Sequence, residues 1–370
     1  MNAEELQNYP KLGFGLMRLP RKGLKTDIEQ TKQMVDLFLE SGFRYFDTAY
    51  VYPGSEEATR KALVSRHARE EFELATKLNA WMLVRNEKSA KKQFYTSLKR
   101  TGLEYFDYYL LHGLMGQNYR SYDRYHIWEY VAELKSRGLV KQAGFSFHGG
   151  PELLEEILNV HPEMDFVQLQ INYADWESRR IASRANYEVA RAHGKPVIVM
   201  EPVKGGSLAK PSRAVRNLFD QTAPNASYAS WAIRFAASLE GVLTVLSGMS
   251  NLAQMHDNVS YMRDFAPLDE RERSVIVEVQ RIMGKESGIP CTACHYCTEG
   301  CPKQIPIPEI FAAANLRYQQ GDAEGFRDAY AELADKGSVA DACIACGQCE
   351  RACPQHIDVI RQLELCAAEA

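Results

Sequence analysis

The chain has 370 residues, 45% hydrophobic and 25% charged, ordinary values for a globular protein long enough for two domains at about 150 residues each. Forty-four Lys and Arg against 48 Asp and Glu leave a net charge of −4, which excludes a global positive field for nucleic acid or anionic lipid and makes a small molecule the default partner. The acidic start MNAEELQNYPKLG lacks the apolar core of a signal peptide, and no stretch reaches the ~18 apolar residues of a membrane span, so a cytoplasmic protein with no membrane partner is expected.

Along residues 1–285, short β-rich apolar runs alternate with longer segments of helical periodicity. The runs are Lys11 to Leu16, Phe43 to Thr48, Phe72 to Lys77, Tyr108 to His112, Gln142 to Ser146, Phe166 to Gln170, Pro196 to Met200 and Val242 to Ser247. Eight βα units in about 250 residues fit a (β/α)8 TIM barrel. A doubly wound sheet usually needs fewer strands, and no Gly-rich phosphate fingerprint follows the first run. In the first helical stretch Ile28, Thr31, Val35, Phe38 and Leu39 share a face; Thr26 with Glu29 is expected to form a capping box and Gly42 to stop the helix.

Residues 286–370 read as a second, small and mostly α-helical domain. All nine cysteines lie between Cys291 and Cys366. In a chain with no export signal this clustering points to metal ligation rather than disulfides. Two runs share the pattern CxxCxxCxxxCP: Cys291, Cys294, Cys297 and Cys301 before Pro302, and Cys343, Cys346, Cys349 and Cys353 before Pro354. Two-residue gaps let three thiolates meet three corners of a cubane, while the fourth Cys, beyond a Pro kink, reaches the other cluster. The spacing therefore implies two four-iron four-sulfur clusters, one on Cys291, Cys294, Cys297 and Cys353, the other on Cys343, Cys346, Cys349 and Cys301. A pair of zinc sites is the alternative, but it leaves the third evenly spaced Cys and the CP unexplained. The pattern resembles the two-cluster bacterial ferredoxins, in the branch with a helical insert. Here the insert is expected as two helices broken at Gly321 and Asp322, with Pro308 in the first helical turn. Cys366, on a terminal helix, is expected to be a free buried cysteine.

Functional residues of such barrels sit at the C-terminal ends of strands. Asp47 ends the second run, in YFDTAYVYPGSE, with Tyr52 five residues on; Lys77 ends the third and His112 the fourth. The chemistry suits carbonyl reduction. A tyrosine with its ordinary pKa near 10 holds its proton tightly, and a neighbouring ammonium favours release while a carboxylate holds the ammonium. A histidine can orient the substrate oxygen. A structural ion pair between Asp47 and Lys77 is the plainer reading of those two. In this order the four residues resemble the tetrad of the aldo-keto reductase superfamily over about residues 8–265.

That resemblance implies Tyr52 as acid, with Asp47, Lys77 and His112 as its partners, NADPH or NADH as cofactor and a small-molecule carbonyl as substrate. It places Ser146 and Gln168 at the nicotinamide carboxamide, Met200 against the ring and Lys204 near the pyrophosphate. After the eighth run it puts Gly248, Met249, Ser250, Gln254 and Asn258 around the adenosine end. The departures are Phe147 where the family has Asn, Met200 for an aromatic, and Gly248, Met249 and Gln254 where many members clamp a 2′-phosphate with cations. Backbone N–H groups at that helix start, with Ser250, remain as phosphate donors.

The two halves together imply an NAD(P)H-dependent oxidoreductase with an iron–sulfur electron-transfer domain and a redox partner, a ferredoxin or flavoprotein. The alternative is an electron-transfer protein whose barrel is a docking or nicotinamide-sensing platform.

Overall fold

The computed structural model describes residues 3–82, 84–284, 288–337 and 339–370. Eight strands close a barrel: β1 Leu12–Gly15, β2 Tyr45–Asp47, β3 Glu73–Leu78, β4 Phe106–Leu114, β5 Val140–Phe147, β6 Phe166–Gln170, β7 Val197–Met200 and β8 Val242–Ser247. Every neighbouring pair is parallel, and β1 closes the ring by pairing with both β2 and β8. The eight expected runs are these eight strands. Their near-continuous burial is what a parallel sheet covered on both faces demands.

Side chains alternate between the two faces of a strand, so each strand feeds the barrel interior at every second residue. Tyr45, Ala75, Tyr108, Leu110, Phe166, Ile198 and Leu243 form one buried interior cluster. Residues of opposite parity face the helices. Phe46 is fully buried there, its ring 6.0 Å from Phe14, 5.1 Å from Phe38 and 6.5 Å from Phe72. Truncating such a ring costs about 3–5 kcal/mol.

The helix Ile28–Glu40 buries Thr31, Met34, Val35 and Phe38, and Gly42 leaves it at φ +87°. Its N-cap is Asp27, which accepts from Gln30 N at 3.2 Å, and not Thr26. Thr26 belongs to a small antiparallel pair, Arg21–Lys22 with Lys25–Thr26, so its backbone is already committed to a strand.

The chain packs as two compact units, residues 1–202 with 230–268, and residues 203–229 with 269–370. The expected boundary between 285 and 286 lies outside the described residues. Packing divides the chain earlier because the helices Arg213–Thr222 and Glu270–Met283 pack on each other within the second unit. Composition marks where the cysteines begin, and this packing begins before them.

In the second unit Ile307–Gln320, with Pro308 in its first turn, and Ala323–Lys336 form a helical hairpin around Gly321 and Asp322. Asp322 caps the second helix by accepting from Gly325 N at 2.8 Å. The last helix, Val359–Glu369, closes a core of Ile307, Ile310, Phe311, Phe326, Leu363 and the fully buried Cys366. The two cysteine runs repeat the same backbone: Ala293 and Ala345, His295 and Gly347, and Gln304 and His356 all have φ between +50° and +72°. Among the described residues no helix is long and apolar enough to cross a membrane.

Candidate active site and thiol-lined cavities

Asp47, Lys77, His112, Gln168 and Met200 each stand two residues beyond an interior residue of their strand (Tyr45, Ala75, Leu110, Phe166 and Ile198), so strand parity puts all five on the interior face toward the C-terminal strand ends. Lys77 is fully buried and donates from Nζ to Asp47 Oδ1 at 2.5 Å and to the Thr48 carbonyl at 2.8 Å. Its Nζ lies 5.1 Å from the centre of the Tyr52 ring, and that ring meets His112 edge-on at 5.7 Å. All four expected tetrad residues therefore converge.

Electrostatics follows from burial. Desolvation lowers Lys77 from its ordinary value against the pull of Asp47, and it raises Asp47 against the pull of Lys77. The His112 imidazole is pushed well below 6.5 by burial first, then by Lys77 and His148, so it is neutral at pH 7. A neutral imidazole can donate one hydrogen bond to a carbonyl oxygen without carrying charge.

The loop that carries Tyr52 is tied at many points. Thr48 and Ser55 hydroxyls lie 2.7 Å apart, and Ser55 donates to the Leu16 carbonyl. Arg100 donates to the Tyr50 carbonyl at 3.1 Å and to buried Glu56 at 3.2 Å, with its guanidinium 4.6 Å from the Tyr50 ring centre. On the far side, the His112 carbonyl accepts from Tyr122 Oη at 2.5 Å and Trp81 Nε1 at 3.3 Å. Arg100, Tyr122 and Trp81 were not singled out for these roles from sequence.

The expected nicotinamide contacts fit in part. Gln168 Oε1 is buried without a partner in the chain, while Gln168 Nε2 reaches Met200 Sδ at 3.5 Å. An unpaired buried acceptor there suits a carboxamide N–H. Ser146 Oγ instead accepts from Gly113 N at 2.8 Å. Phe147 has the parity of Phe145 and stays buried on the helix side, 6.2 Å from it ring to ring.

After β8, the helix Leu252–Met262 spends its first N–H groups internally. Ser250 N donates to Gln254 Oε1 at 2.7 Å, Leu252 N to Gln30 Oε1 at 3.2 Å, and Gln254 N to Asn251 Oδ1 at 2.9 Å. Asn258 is buried and accepts from Ser247 Oγ at 2.7 Å. A phosphate at this helix start must therefore displace the Gln254 side chain. Gly248 and Met249 precede it, and Met249 is buried. Lys204 lies in the second unit, on the segment that follows β7. A shallow depression between Asp36, Gly42 to Arg44, His67 and Glu70 opens before β2 and β3, at the strand ends away from the tetrad.

The second unit brings the thiols together in crossed sets. Cys291, Cys294, Cys297 and Cys353 line one small cavity, with Thr292, Phe311, Gln355 and Ile357. Cys301, Cys343, Cys346 and Cys349 line another, with Lys303, Ile305, Ile307 and Leu363. In each run the third residue donates its N–H toward the first thiol at 3.5 Å, Ala293 to Cys291 and Ala345 to Cys343. Burial pushes the bare Cys349 thiol up to about 11 and Cys297 higher still, so these buried sulfurs need a bound cation to carry thiolate charge. The fit of donor set and cavity is that of a sulfur-ligated inorganic cluster.

A parallel eight-stranded barrel with these residues at its C-terminal end, followed by a thiol-rich helical unit, defines an oxidoreductase. The chain belongs to the Aldo/keto reductase family, whose profile matches residues 11–281, and a 4Fe-4S dicluster domain matches residues 290–357. It is 26% identical over 235 residues to an NAD(P)H-dependent 6'-deoxychalcone synthase of Glycine max, covering 58% of this chain and 70% of that protein. The chain spans 46 to 70% of the length of the first curated relatives it matches. Its fold is similar to the holo form of aldo-keto reductase AKR11C1 from Bacillus halodurans, at 25% identity, TM-score 0.58 and coverage of 73% of this chain and 91% of that one. It also resembles a Klebsiella pneumoniae aldo/keto reductase solved with NADP and acetate, at 18% identity, TM-score 0.60 and coverage of 74% and 92%.

Proposed function

We propose that this cytoplasmic protein reduces a small-molecule carbonyl compound with NADPH or NADH in its barrel domain, residues 1–285. Residues 286–370 carry two four-iron four-sulfur clusters in this reading and exchange electrons with a ferredoxin or flavoprotein partner. The observation that carries it is the convergence of Asp47, Lys77 and His112 on the barrel interior with Tyr52 from the loop after β2.

When bound, the nicotinamide supplies a hydride to the carbonyl carbon. Tyr52 donates its hydroxyl proton to the carbonyl oxygen, so that hydride and proton together make the alcohol. The Lys77 ammonium, anchored by Asp47, stabilises the phenolate left behind. Neutral His112 donates a hydrogen bond to the same oxygen and fixes its approach. Gln168, with Ser146 as a hydroxyl donor while it accepts from Gly113 N, would hold the carboxamide, and Met200 would pack on the ring. Gly248, Met249, Ser250, Gln254 and Asn258 would form the dinucleotide's remaining contacts. When assembled, the clusters supply one-electron transfer, held by Cys291, Cys294, Cys297 and Cys353 and by Cys301, Cys343, Cys346 and Cys349.

The test is Tyr52→Phe. Loss of the acid is expected to lower carbonyl reduction about 10²- to 10⁴-fold with nucleotide affinity unchanged; turnover at the unmodified rate refutes the acid role. A second reading, the barrel as a nicotinamide sensor for the electron-transfer module, is favoured by the internally capped helix start at Ser250 to Gln254. Anaerobic titration with NADH and NADPH separates the two. Bleaching of the clusters without carbonyl turnover supports the sensor, and carbonyl turnover with oxidised clusters supports the reductase.

A further inference from the structure

The two cysteine runs share one backbone, with left-handed residues at the same places, yet they differ in side chains at matching positions. Aligned on their thiols, Thr292 answers to Ile344, Glu299 to Arg351 and Gln355 to Lys303, all within the second unit. Thr292, on the wall of the first cavity, is 2% exposed. The backbone of Gly205, in the same unit, packs on it so closely that a Cβ there would lie 2.5 Å from the Thr292 carbonyl oxygen. Ile344, at the matching place on the wall of the other cavity, is 57% exposed. One exposed isoleucine is ordinary on a protein surface, so its neighbours decide what it means.

Of the eight cavity thiols only that of Cys346, two residues on from Ile344, belongs to an exposed residue. Arg351 leans back over the same loop, its Nη2 3.5 Å from the Cys346 carbonyl oxygen, and the exposed Lys303 lines the same cavity. The carboxylate beside Arg351 in sequence, Glu350, is taken up by accepting from Ile360 N at 3.0 Å, and Asp341 is not among the residues that line the cavity. The first cavity reverses this pattern. Its matching positions carry an exposed Glu299 and a buried Gln355, and His295 on its loop stands 3.9 Å from Glu309. An apolar contact, two cations and the surface thiol are thus gathered at one cavity, and the equivalent positions of the other hold none of them. A small apolar centre with a charged rim suits a brief, charge-steered encounter between redox proteins.

We propose that Ile344, Cys346, Lys303 and Arg351 form the landing face for an acidic one-electron carrier protein, and that electrons pass between carrier and chain at the cavity of Cys301, Cys343, Cys346 and Cys349. The inference rests on the cluster reading above and adds the partner's charge and its place of contact. On contact one electron leaves the carrier's reduced cofactor and the cluster in that cavity gains it; no bond forms or breaks. The two cations draw in and orient an acidic partner. Ile344 supplies the apolar contact that excludes water from the centre of the interface.

The experiment uses the full-length, cluster-replete protein under anaerobic conditions, with flavodoxin, a small acidic flavoprotein, as the probe. Calorimetry reads the affinity for oxidised flavodoxin, and stopped-flow absorbance reads cluster reduction by its hydroquinone. Dithionite serves as a small reductant that needs no landing face. Affinity and reduction rate of the unmodified chain are expected to fall as added salt screens the charges. Ile344→Ser and Lys303→Glu should each weaken flavodoxin binding and slow its electron transfer about tenfold, with iron content and reduction by dithionite unchanged. Glu299→Gln, at the matching position of the first run, should change neither. Unchanged binding in iron-replete Ile344→Ser and Lys303→Glu, or an equal loss in Glu299→Gln, overturns the landing face. Binding that strengthens with salt overturns the acidic partner. Clusters that dithionite reduces but flavodoxin neither binds nor reduces overturn the proposal and leave the cluster reading standing, whereas a chain that holds no iron after reconstitution overturns both.

Discussion

Burial disfavours the charged form of His112, and Lys77 and His148 push its imidazole further in the same direction. An unfolded histidine takes a proton below about 6.5, whereas the folded one does not, so the unfolded state binds more protons in that range and stability falls as pH drops through it. That imbalance weakens the folded state as the pH falls from 7.5 to 5.5. Urea midpoints of the full chain at those two pH values are expected to fall less for His112→Gln than for the unmodified protein. Equal falls would mean that the imidazole is charged in the folded state. Catalysis follows the same logic: with the imidazole neutral throughout this range, carbonyl reduction should show no limb near pH 6.5 that His112→Gln removes.

The loop between β2 and the helix that begins at Ser55 holds Tyr52 through backbone groups, and Arg100 is its furthest support in sequence, reaching the Tyr50 carbonyl across 50 positions. Arg100→Met leaves Glu56 and the Tyr50 carbonyl without their cation and lets the Tyr52 ring drift from Lys77. Misplacement of a reacting group is expected to lower kcat about tenfold to a hundredfold, with nucleotide affinity intact and partial rescue in Arg100→Lys. Loss of KM alone, with kcat unchanged, would contradict this. At the other end of the barrel top, Gln254→Arg frees Ser250 N and supplies a cation, and a charge-assisted contact should raise NADPH affinity about tenfold over NADH. An unchanged preference would place the 2′-phosphate elsewhere. These elements show why parts of the site were legible in the sequence and others were not. Asp47, Lys77 and His112 are readable because strand ends carry them with period two. Arg100, Trp81 and Tyr122 act on carbonyls 50, 31 and 10 residues away, and nothing local marks a residue that bonds a distant backbone oxygen. The first barrel helix is capped by Asp27 rather than by the expected Thr26, whose backbone the small antiparallel pair claims.

At the scale of the whole chain, the cysteine runs announced a second domain, yet composition could not show that residues 203–229 and 269–284 pack with it, because ordinary amphipathic helices carry no label of the unit they join. The crossed lining of the two cavities follows the pattern of the runs, since each CP places its cysteine beyond the turn that gathers the other three. It has a consequence for assembly: Cys301 lies in the first run but lines the cavity of Cys343, Cys346 and Cys349, and Cys353 lies in the second run but lines the other. Neither cavity can close until both ends of the intervening helical hairpin are in place. Serine substitutions read this out directly. Cys301→Ser and Cys349→Ser are expected to abolish the same paramagnetic signal, and Cys353→Ser and Cys294→Ser the other, each lowering iron from about eight to about four per chain if both cavities fill with cubanes. If Cys301→Ser instead matches Cys294→Ser, ligation runs within each sequence run, and the two cavities are not the cluster sites.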